Sequence, residues 1–558
     1  MPGLDARPKP GAGGVSRITG LGLGIRADDA ERARRYTADG WWTDETLGSI
    51  LAAGLAEAPA NVISIRSDRR PWRGTYADAE EIARRVAGGL RAAGVGPGDP
   101  VAFQVPNWLE AAVTFWAVAF LGAIPVPIVH FYGPKEVCFI LRESGARWFV
   151  TADWFGGLDY LATLPALRAE LSTLEHVFVI GDSVPGGTKP FDALVASDPV
   201  DCPAATDPMQ PALIAYTSGT TADPKGVVHS HRTIGFEIKQ LAALASTVGH
   251  PLLVGAPVGH GIGMLNALLI PVYRRDPIHL IDVWDPQRVL AAMLEDELMS
   301  GSGATYFLTS LLDHPDFAPA HAALMAKIGL GGSPVPAAVG ERAEALGIST
   351  VRSFGSTEHP SITGSRHDYP RMKRLRTDGK PLLGVELELR DGDGRVVGPG
   401  EPGGIWTKGP DCFVGYTDPE LTKAAFDDDG WFDTGDVGVI DDAGFLTIVD
   451  RTKDIIIRGG ENISALEVEE LILRIPGVAE VAVVAAPDER LGEHGAAFVR
   501  MQADAPSPTL EAMREHLRIS GLAKQKWPEE VHRVEDFPRT PSGKIQKFIL
   551  RQRRSQDD

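Results

Sequence analysis

Short apolar runs rich in β-branched and aromatic residues alternate with longer Ala/Leu/Arg/Glu stretches, and this alternation narrows the fold more than any other feature of the chain. Val101 to Val105, Trp148 to Thr151 and Val177 to Ile180 read as strands, while Ala79 to Ala93 and Leu161 to Leu171 read as helices. Strands interleaved with helices in this way build α/β layers. The chain has 558 residues, and a single core stops growing at roughly 250 to 300 residues, so several lobes are expected. The most apolar segment, Ala111 to Val129, is interrupted by Thr114, Gly122, Pro125 and Pro127. That makes it a buried helix leading into a strand, not an integral membrane span.

From Gly384 to Val439 the pattern changes to short strands with Asp391-Gly392 and Asp393-Gly394 turns and a Gly398 to Gly400 cluster, which reads as a small β-barrel or meander. After Ile448 a new unit begins. Ile455 to Ile457 reads as a strand, Ser464 and Glu467 make a capping box for a helix halted by Pro476-Gly477, and Val481 to Ala485 reads as another strand. A separate α+β domain is therefore expected from about Asp450. The formal net charge of -19 argues against nucleic-acid partners, which need clustered Lys and Arg. Cys138, Cys202 and Cys412 lie far apart without metal-ligand spacing, so neither a disulfide framework nor a zinc site is expected. The first two dozen residues do not read as a secretory signal, and the cysteine pattern fits a reduced cytosol, so a cytoplasmic location is expected.

Chemistry enters with the string Tyr216 to Gly226, which follows the apolar run Ala212 to Ala215. Thr217, Ser218, Thr220 and Thr221 supply hydroxyl donors, Gly219 lets backbone N–H groups approach an anion, and Lys225 supplies charge, so the loop can cradle a polyphosphate. It is not a Walker A loop, because Lys225 precedes Gly226 and Val227 where that motif needs Gly-Lys-Ser/Thr. Taken alone, a Ser/Thr/Gly loop is more often an ordinary turn.

The whole string resembles the signature loop of the adenylate-forming superfamily, which comprises acyl-CoA synthetases, peptide-synthetase adenylation domains and beetle luciferases. Further strings resemble the family's motifs and stand in family order: Pro257 with His260-Gly261, Gly331-Gly332-Ser333-Pro334, Phe354-Gly355-Ser356-Thr357-Glu358, Gly430 to Asp436, Asp450 to Asp454 with Gly459 to Asn462, and Pro541-Ser542-Gly543-Lys544. The resemblance implies a large multi-lobed N-terminal domain over 43–449, with two α/β sheet lobes plus the small β-barrel. A hinge at 450–453 and a smaller mobile α+β C-terminal domain over 454–558 follow it, and 1–42 is a flexible tail and lead-in.

It also implies roles. Glu358 binds the magnesium of MgATP, Thr357 and Lys225 contact phosphate, and Thr217 to Thr221 surround the polyphosphate. Phe354, where the family usually carries Tyr, stacks on adenine between Gly355-Ser356 and the Gly332-Ser333 wall; the ring face is kept and a phenolic hydroxyl is lost. Asp436 and Arg451 hold the ribose. Lys544 is the catalytic lysine for carboxylate and α-phosphate, and Lys453 is the hinge about which the C-terminal domain turns. Asp450 stands where members carry either Asp or Gly, and gives that flank less backbone freedom than Gly would. Gly459, Gly460 and Glu461 approach coenzyme A. His229 and His231 lack a third metal ligand and read as helix-entry residues.

The implied reaction is ATP-dependent ligation of a carboxylate to coenzyme A through an acyl-adenylate, with AMP and pyrophosphate released. His260, Gly261, Met264 and Gly331 are implied to line the acyl pocket, with carbon and space that suit a medium-chain fatty acid or cyclic apolar carboxylate, and no carboxylate is evident there to hold an α-amino group. The alternatives are an acyl-AMP ligase loading a carrier protein, a luciferase-like oxygenase, and a catalytically dead AMP- or acyl-binding sensor. Retention of Glu358 and Lys544 argues against the last. A homodimer is left open.

Overall fold

In a computed structural model the described residues are 15–17, 24–26, 30–217, 224–244, 249–451, 454–458, 461–488, 491–503, 505–540 and 543–554. The first lobe is a five-stranded parallel sheet in the order Lys189–Pro190, His176–Ile180, Trp148–Ala152, Pro100–Gln104, Ile124–Ile128. The segment expected to be a helix leading into a strand is the helix Leu109–Phe120 followed by the strand Ile124–Ile128. Nearly every residue of that helix is buried, as an all-round apolar helix must be. The neighbouring helix Tyr76–Ala92 starts on a reciprocal cap, with Thr75 Oγ1 accepting from Asp78 N and Asp78 Oδ2 accepting from Thr75 N at 2.8 Å. Over 161–171 a short 3₁₀ turn precedes the helix Leu164–Glu170, where Pro165 occupies the first turn.

A second sheet, order Leu253–Val254, Ile278–Ile281, Val62–Arg66, Trp72–Thr75, is knitted to the first lobe by two buried indoles. Trp108 Nε1 donates to Asp282 Oδ2 at 3.0 Å and Trp116 Nε1 to Leu268 O at 3.1 Å. The strands Pro211–Thr217 and Lys225–Ser230 form an antiparallel hairpin, and Lys225–Ser230 also pairs with Gly415–Tyr416. The expected β unit after Gly384 is an antiparallel meander in the order Glu386–Arg390, Pro402–Lys408, Phe432–Ile440, Leu446–Arg451. Its last strand runs through Asp450 and Arg451, so the first half of the expected 450–453 hinge is sheet, and Thr452 and Lys453 lie outside the described residues.

The C-terminal unit packs the helices Ala465–Ile472 and Leu510–Ile519 on a sheet led by the long hairpin Val478–Asp488 and Gly492–Met501. Ser464 Oγ accepts from Glu467 N at 3.2 Å, the expected cap. No described helix is long and apolar enough to cross a membrane.

Candidate active site

Two parallel strands, Lys327–Leu330 and Ser349–Phe354, end side by side, and the crevice beyond the carboxyl ends of parallel strands is where α/β sheets hold ligands. Gly331, Gly332 and Ser333 leave one strand end and Phe354 closes the other. Gly332 has φ +74°, and a Cβ on Gly331 would sit 2.5 Å from Ser353 Oγ, so glycine is required where the two ends touch. Ser333 Oγ accepts from Thr305 N at 3.3 Å and Thr305 Oγ1 donates to Pro334 O at 2.9 Å, which fixes this wall to the helix Thr305–Leu312.

After Phe354 the chain turns tightly. A Cβ on Gly355 would lie 1.9 Å from Pro360 O, and Ser356 N donates to His359 O at 2.9 Å. The turn presents Thr357 and Glu358. Tyr416, on the strand beside the hairpin, donates its hydroxyl to Glu358 Oε1 at 2.8 Å, and Lys225 Nζ lies 5.2 Å from the centre of the same ring. Burial, then the Glu358 carboxylate, raises the Tyr416 phenol far above its ordinary range, so it stays a donor. Thr217 is the register partner of Lys225; Ser218, Gly219, Thr220 and Thr221 lie outside the described residues.

Asp436 and Arg451, 15 positions apart in the chain, are register partners on adjacent strands. Asp436 is 5 % exposed, and Gly435 before it has φ +71°. His260 begins the short helix Gly261–Met264, which runs on through a π-helical turn, Leu265–Leu269, to Ile270–Arg274. The C-terminal unit reaches this place. Gly543 has φ +82°, and a Cβ there would be 3.3 Å from Tyr306 Cβ. Thr540 N donates to Lys544 O at 2.7 Å, closing the turn that carries Lys544. Burial, then the positive charge of Lys544, lowers the His260 imidazole to about 4, so His260 is neutral near pH 7, and both residues line the cleft.

One cleft of about 2240 Å³ takes in Thr217, Lys225, His260, Gly261, Met264, Gly331, Gly332, Ser333, Phe354, Gly355, Ser356, Thr357, Glu358, Asp436 and Lys544. Single-ligand pockets are roughly 300 to 1,000 Å³, so the cleft has room for more than one ligand. Gly459, Gly460 and Lys453 lie outside the described residues, and Glu461 is described as backbone in the strand Glu461–Ile463.

Across this site the pattern of the AMP-binding enzyme family matches residues 53–417, and that of the AMP-binding enzyme C-terminal domain matches residues 467–544. The chain belongs to the AMP-binding enzyme family. It is an adenylate-forming enzyme of the acyl-CoA synthetase branch, a group that uses ATP and coenzyme A. A medium-chain fatty-acid–CoA ligase of Escherichia coli (strain K12) is 32% identical over 525 residues, 93% of this chain and 92% of the relative. A salicyl-AMP ligase / salicyl-S-ArCP synthetase of Mycobacterium tuberculosis is 32% identical over 550 residues, 96% and 95% of the two chains. The solved anthranilate CoA ligase AuaEII, in complex with anthranoyl-AMP, superposes with a TM-score of 0.83 at 25% identity over 92% of this chain and 98% of its own.

Three contributors escaped the sequence reading. Tyr416 was not assigned a part. His229, read as a helix-entry residue, lies on the strand Lys225–Ser230, and its Nε2–H donates to Thr357 O at 2.8 Å; burial lowers its pKa and keeps it neutral. His231 does open the helix His231–Leu244, its Nδ1 accepting from Leu47 N at 3.0 Å. The third is Glu237: a carboxyl does stand in the cleft wall where none was evident, and it is turned onto Ser361, whose Oγ donates to Glu237 Oε1 at 2.8 Å.

Proposed function

We propose that this AMP-binding enzyme activates a medium-chain or cyclic apolar carboxylic acid as its acyl-adenylate and transfers the acyl group to coenzyme A in the cytoplasm. The observation that carries the reading is Lys544, brought on the Gly543 turn within electrostatic reach of His260 in a cleft that also holds Lys225, Thr357 and Glu358. A carboxylate and a polyphosphate repel each other. Lys225 and Lys544 offset that repulsion, and Thr357 adds a hydroxyl donor where charge grows as pyrophosphate departs. Asp436 accepts from ribose hydroxyls, and Phe354 lends a ring face to the base.

No three His, Cys, Asp or Glu side chains converge on a metal site among the described residues. A cation held by Glu358 would take its other oxygens from phosphate and water, as magnesium does. Bound there it would supply charge neutralisation between the phosphates; Tyr416 orients the carboxylate that receives it.

The acid's tail has a groove. Ile234, Leu241 and Leu244 of the helix His231–Leu244 face Ile262, Leu265 and Ile270 of the run Gly261–Arg274 along the cleft. The nine residue steps from Gly261 to Ile270 span about 13 Å at about 1.5 Å per residue, room for a medium-length chain. Glu237 is 0 % exposed and its Oε1 is taken by Ser361 Oγ at 2.8 Å, so this carboxyl is not presented to an α-amino group. Mass spectrometry of products from ATP, magnesium and coenzyme A with straight-chain, branched, cyclic and aromatic acids tests the reading. Acyl-CoA supports it. Adenylate without acyl-CoA redirects it to a carrier protein, and no adenylate with any acid overturns it.

A further inference from the structure

The loop Thr357 to Ser361 carries the two groups that meet phosphate and metal, and it is anchored from behind at almost every residue. Thr357 O accepts from His229 Nε2 at 2.8 Å and Glu358 O from Phe413 N at 2.7 Å. His359 Nδ1 meets Thr407 Oγ1 at 2.9 Å, and its Nε2 lies 3.3 Å from Asp411 Oδ1. Ser361 is held three times. Its N donates to Asp411 Oδ2 at 3.2 Å, its Oγ to Glu237 Oε1 at 2.8 Å, and its O accepts from Gln240 Nε2 at 3.4 Å.

Glu237 and Asp411 are both 0 % exposed, and among the described residues neither Glu237 Oε2 nor Asp411 Oδ1 makes a hydrogen bond to an N–H or hydroxyl donor. Two ionised carboxylates in a dry interior repel by far more than folding can offset. Each is within interaction range of the other, and burial together with Asp411 raises the Glu237 carboxyl well above its ordinary range. Burial and the Asp411 charge thus favour the protonated form of Glu237, and both side chains grip Ser361, Glu237 at the Ser361 Oγ and Asp411 at the Ser361 N.

We propose that Glu237 and Asp411 form a positioning pair for the magnesium–phosphate loop, setting the reach of Glu358 through Ser361. The pair ties the loop to the helix His231–Leu244, whose Ile234 and Leu241, on the same face as Glu237, wall the groove, so metal ligand and acid are referenced to one rigid element. The proposal rests on reading Glu358 as the carboxylate that receives the cation of MgATP. Glutamine keeps both partners, its oxygen accepting from Ser361 and its amide donating to Asp411. Alanine keeps neither.

Calorimetric titration of the full chain with ATP, once with magnesium and once with EDTA, tests this without any acid. The wild type is expected to gain at least tenfold in affinity from magnesium. Failure of that gain overturns the reading of Glu358 itself. With the gain present, Glu237→Ala should lose most of it while binding metal-free ATP within threefold of wild type, and Glu237→Gln should keep it. Equal magnesium gain in Glu237→Ala and wild type overturns the positioning pair, as does loss of the gain in Glu237→Gln with unchanged folding. Should Glu237→Ala not fold, Ser361→Ala removes the same link at little cost in volume; it is expected to lose at least threefold of the gain, and an undiminished gain overturns the proposal.

Discussion

The Arg539 guanidinium lies 5.1 Å from the centre of the Tyr306 ring, while its Nη2 donates to both Glu480 oxygens at 2.7 Å and its Nη1 to Gly543 O at 3.2 Å. One side chain therefore braces the Lys544 turn against the C-terminal sheet and stacks on the large domain. A cation–π contact of this kind contributes about 0.5 to 2 kcal/mol. Tyr306→Leu is expected to slow adenylate formation by roughly 2- to 30-fold and to leave thioester formation from supplied acyl-adenylate unchanged. Lys544→Ala should show the same asymmetry, larger. Equal loss in both half-reactions would reject a role confined to the arrangement seen here.

Lys453→Pro restricts φ at the implied hinge. It is expected to spare adenylation and block thioester formation, as read by product analysis of each half-reaction. Normal thioester turnover in this variant sinks the hinge. The flank beside it is restrained by its side chain: Asp450 is 2 % exposed, and its Oδ2 accepts from Ala465 N at 2.7 Å at the start of the helix Ala465–Ile472. The expectation that Asp450 matters through backbone freedom thus gains a second cause, a carboxylate held at a helix N-terminus.

Tyr416→Phe removes one hydrogen bond to Glu358 and keeps the ring beneath Lys225. Hydrogen bonds to charged groups contribute about 1.5 to 3 kcal/mol. The KM for MgATP should therefore rise by about tenfold or more, with smaller change in the KM for the acid. Equal rises in both constants would show general damage instead of a loosened metal ligand.

Much of this was legible. The strands and helices of the first lobe announce themselves through local periodicity, and the Tyr216 to Gly226 string through local composition. Long-range pairings have no local signature. His229 lies 128 residues from Thr357, and Ser361 lies 124 from Glu237; nothing near Glu237 in the chain says that its carboxyl is buried against Asp411. Tyr416 looks like any strand tyrosine until the sheet sets it beside Glu358.

Histidines that desolvation keeps neutral shape the response to acid. Burial lowers His130, His231, His260 and His279 to about 4, against about 6.5 in the unfolded chain. Between these values the unfolded chain binds more protons, so stability is fully present above about 6.5 and falls as pH drops toward 4. Glu237 and Glu469 work the other way, since their folded pKa values are raised, but they are two carboxyls against six histidines once His229 and His367, also lowered by burial, are counted. Thermal melts are expected to show a clear drop in Tm from pH 7.5 to 5.0, reduced in His231→Gln, which removes one titrating ring. A flat Tm over that range contradicts the assignment.

Acid selection should follow from where the groove is blocked. Ile270 is 8 % exposed and stands at the far end of the π-helical turn, where the run Gly261–Arg274 bends past the helix His231–Leu244. Ile270→Trp adds a ring that the neighbouring helix cannot make room for except by filling the groove. Long acids then lose their last few methylenes of contact, at about 0.8 kcal/mol for each, while acids that end short of Ile270 keep theirs. Specific activity across a series of straight-chain acids should fall steeply above a new, shorter optimum and stay near wild type below it. A uniform loss at every length would mean that the tail lies elsewhere in the cleft.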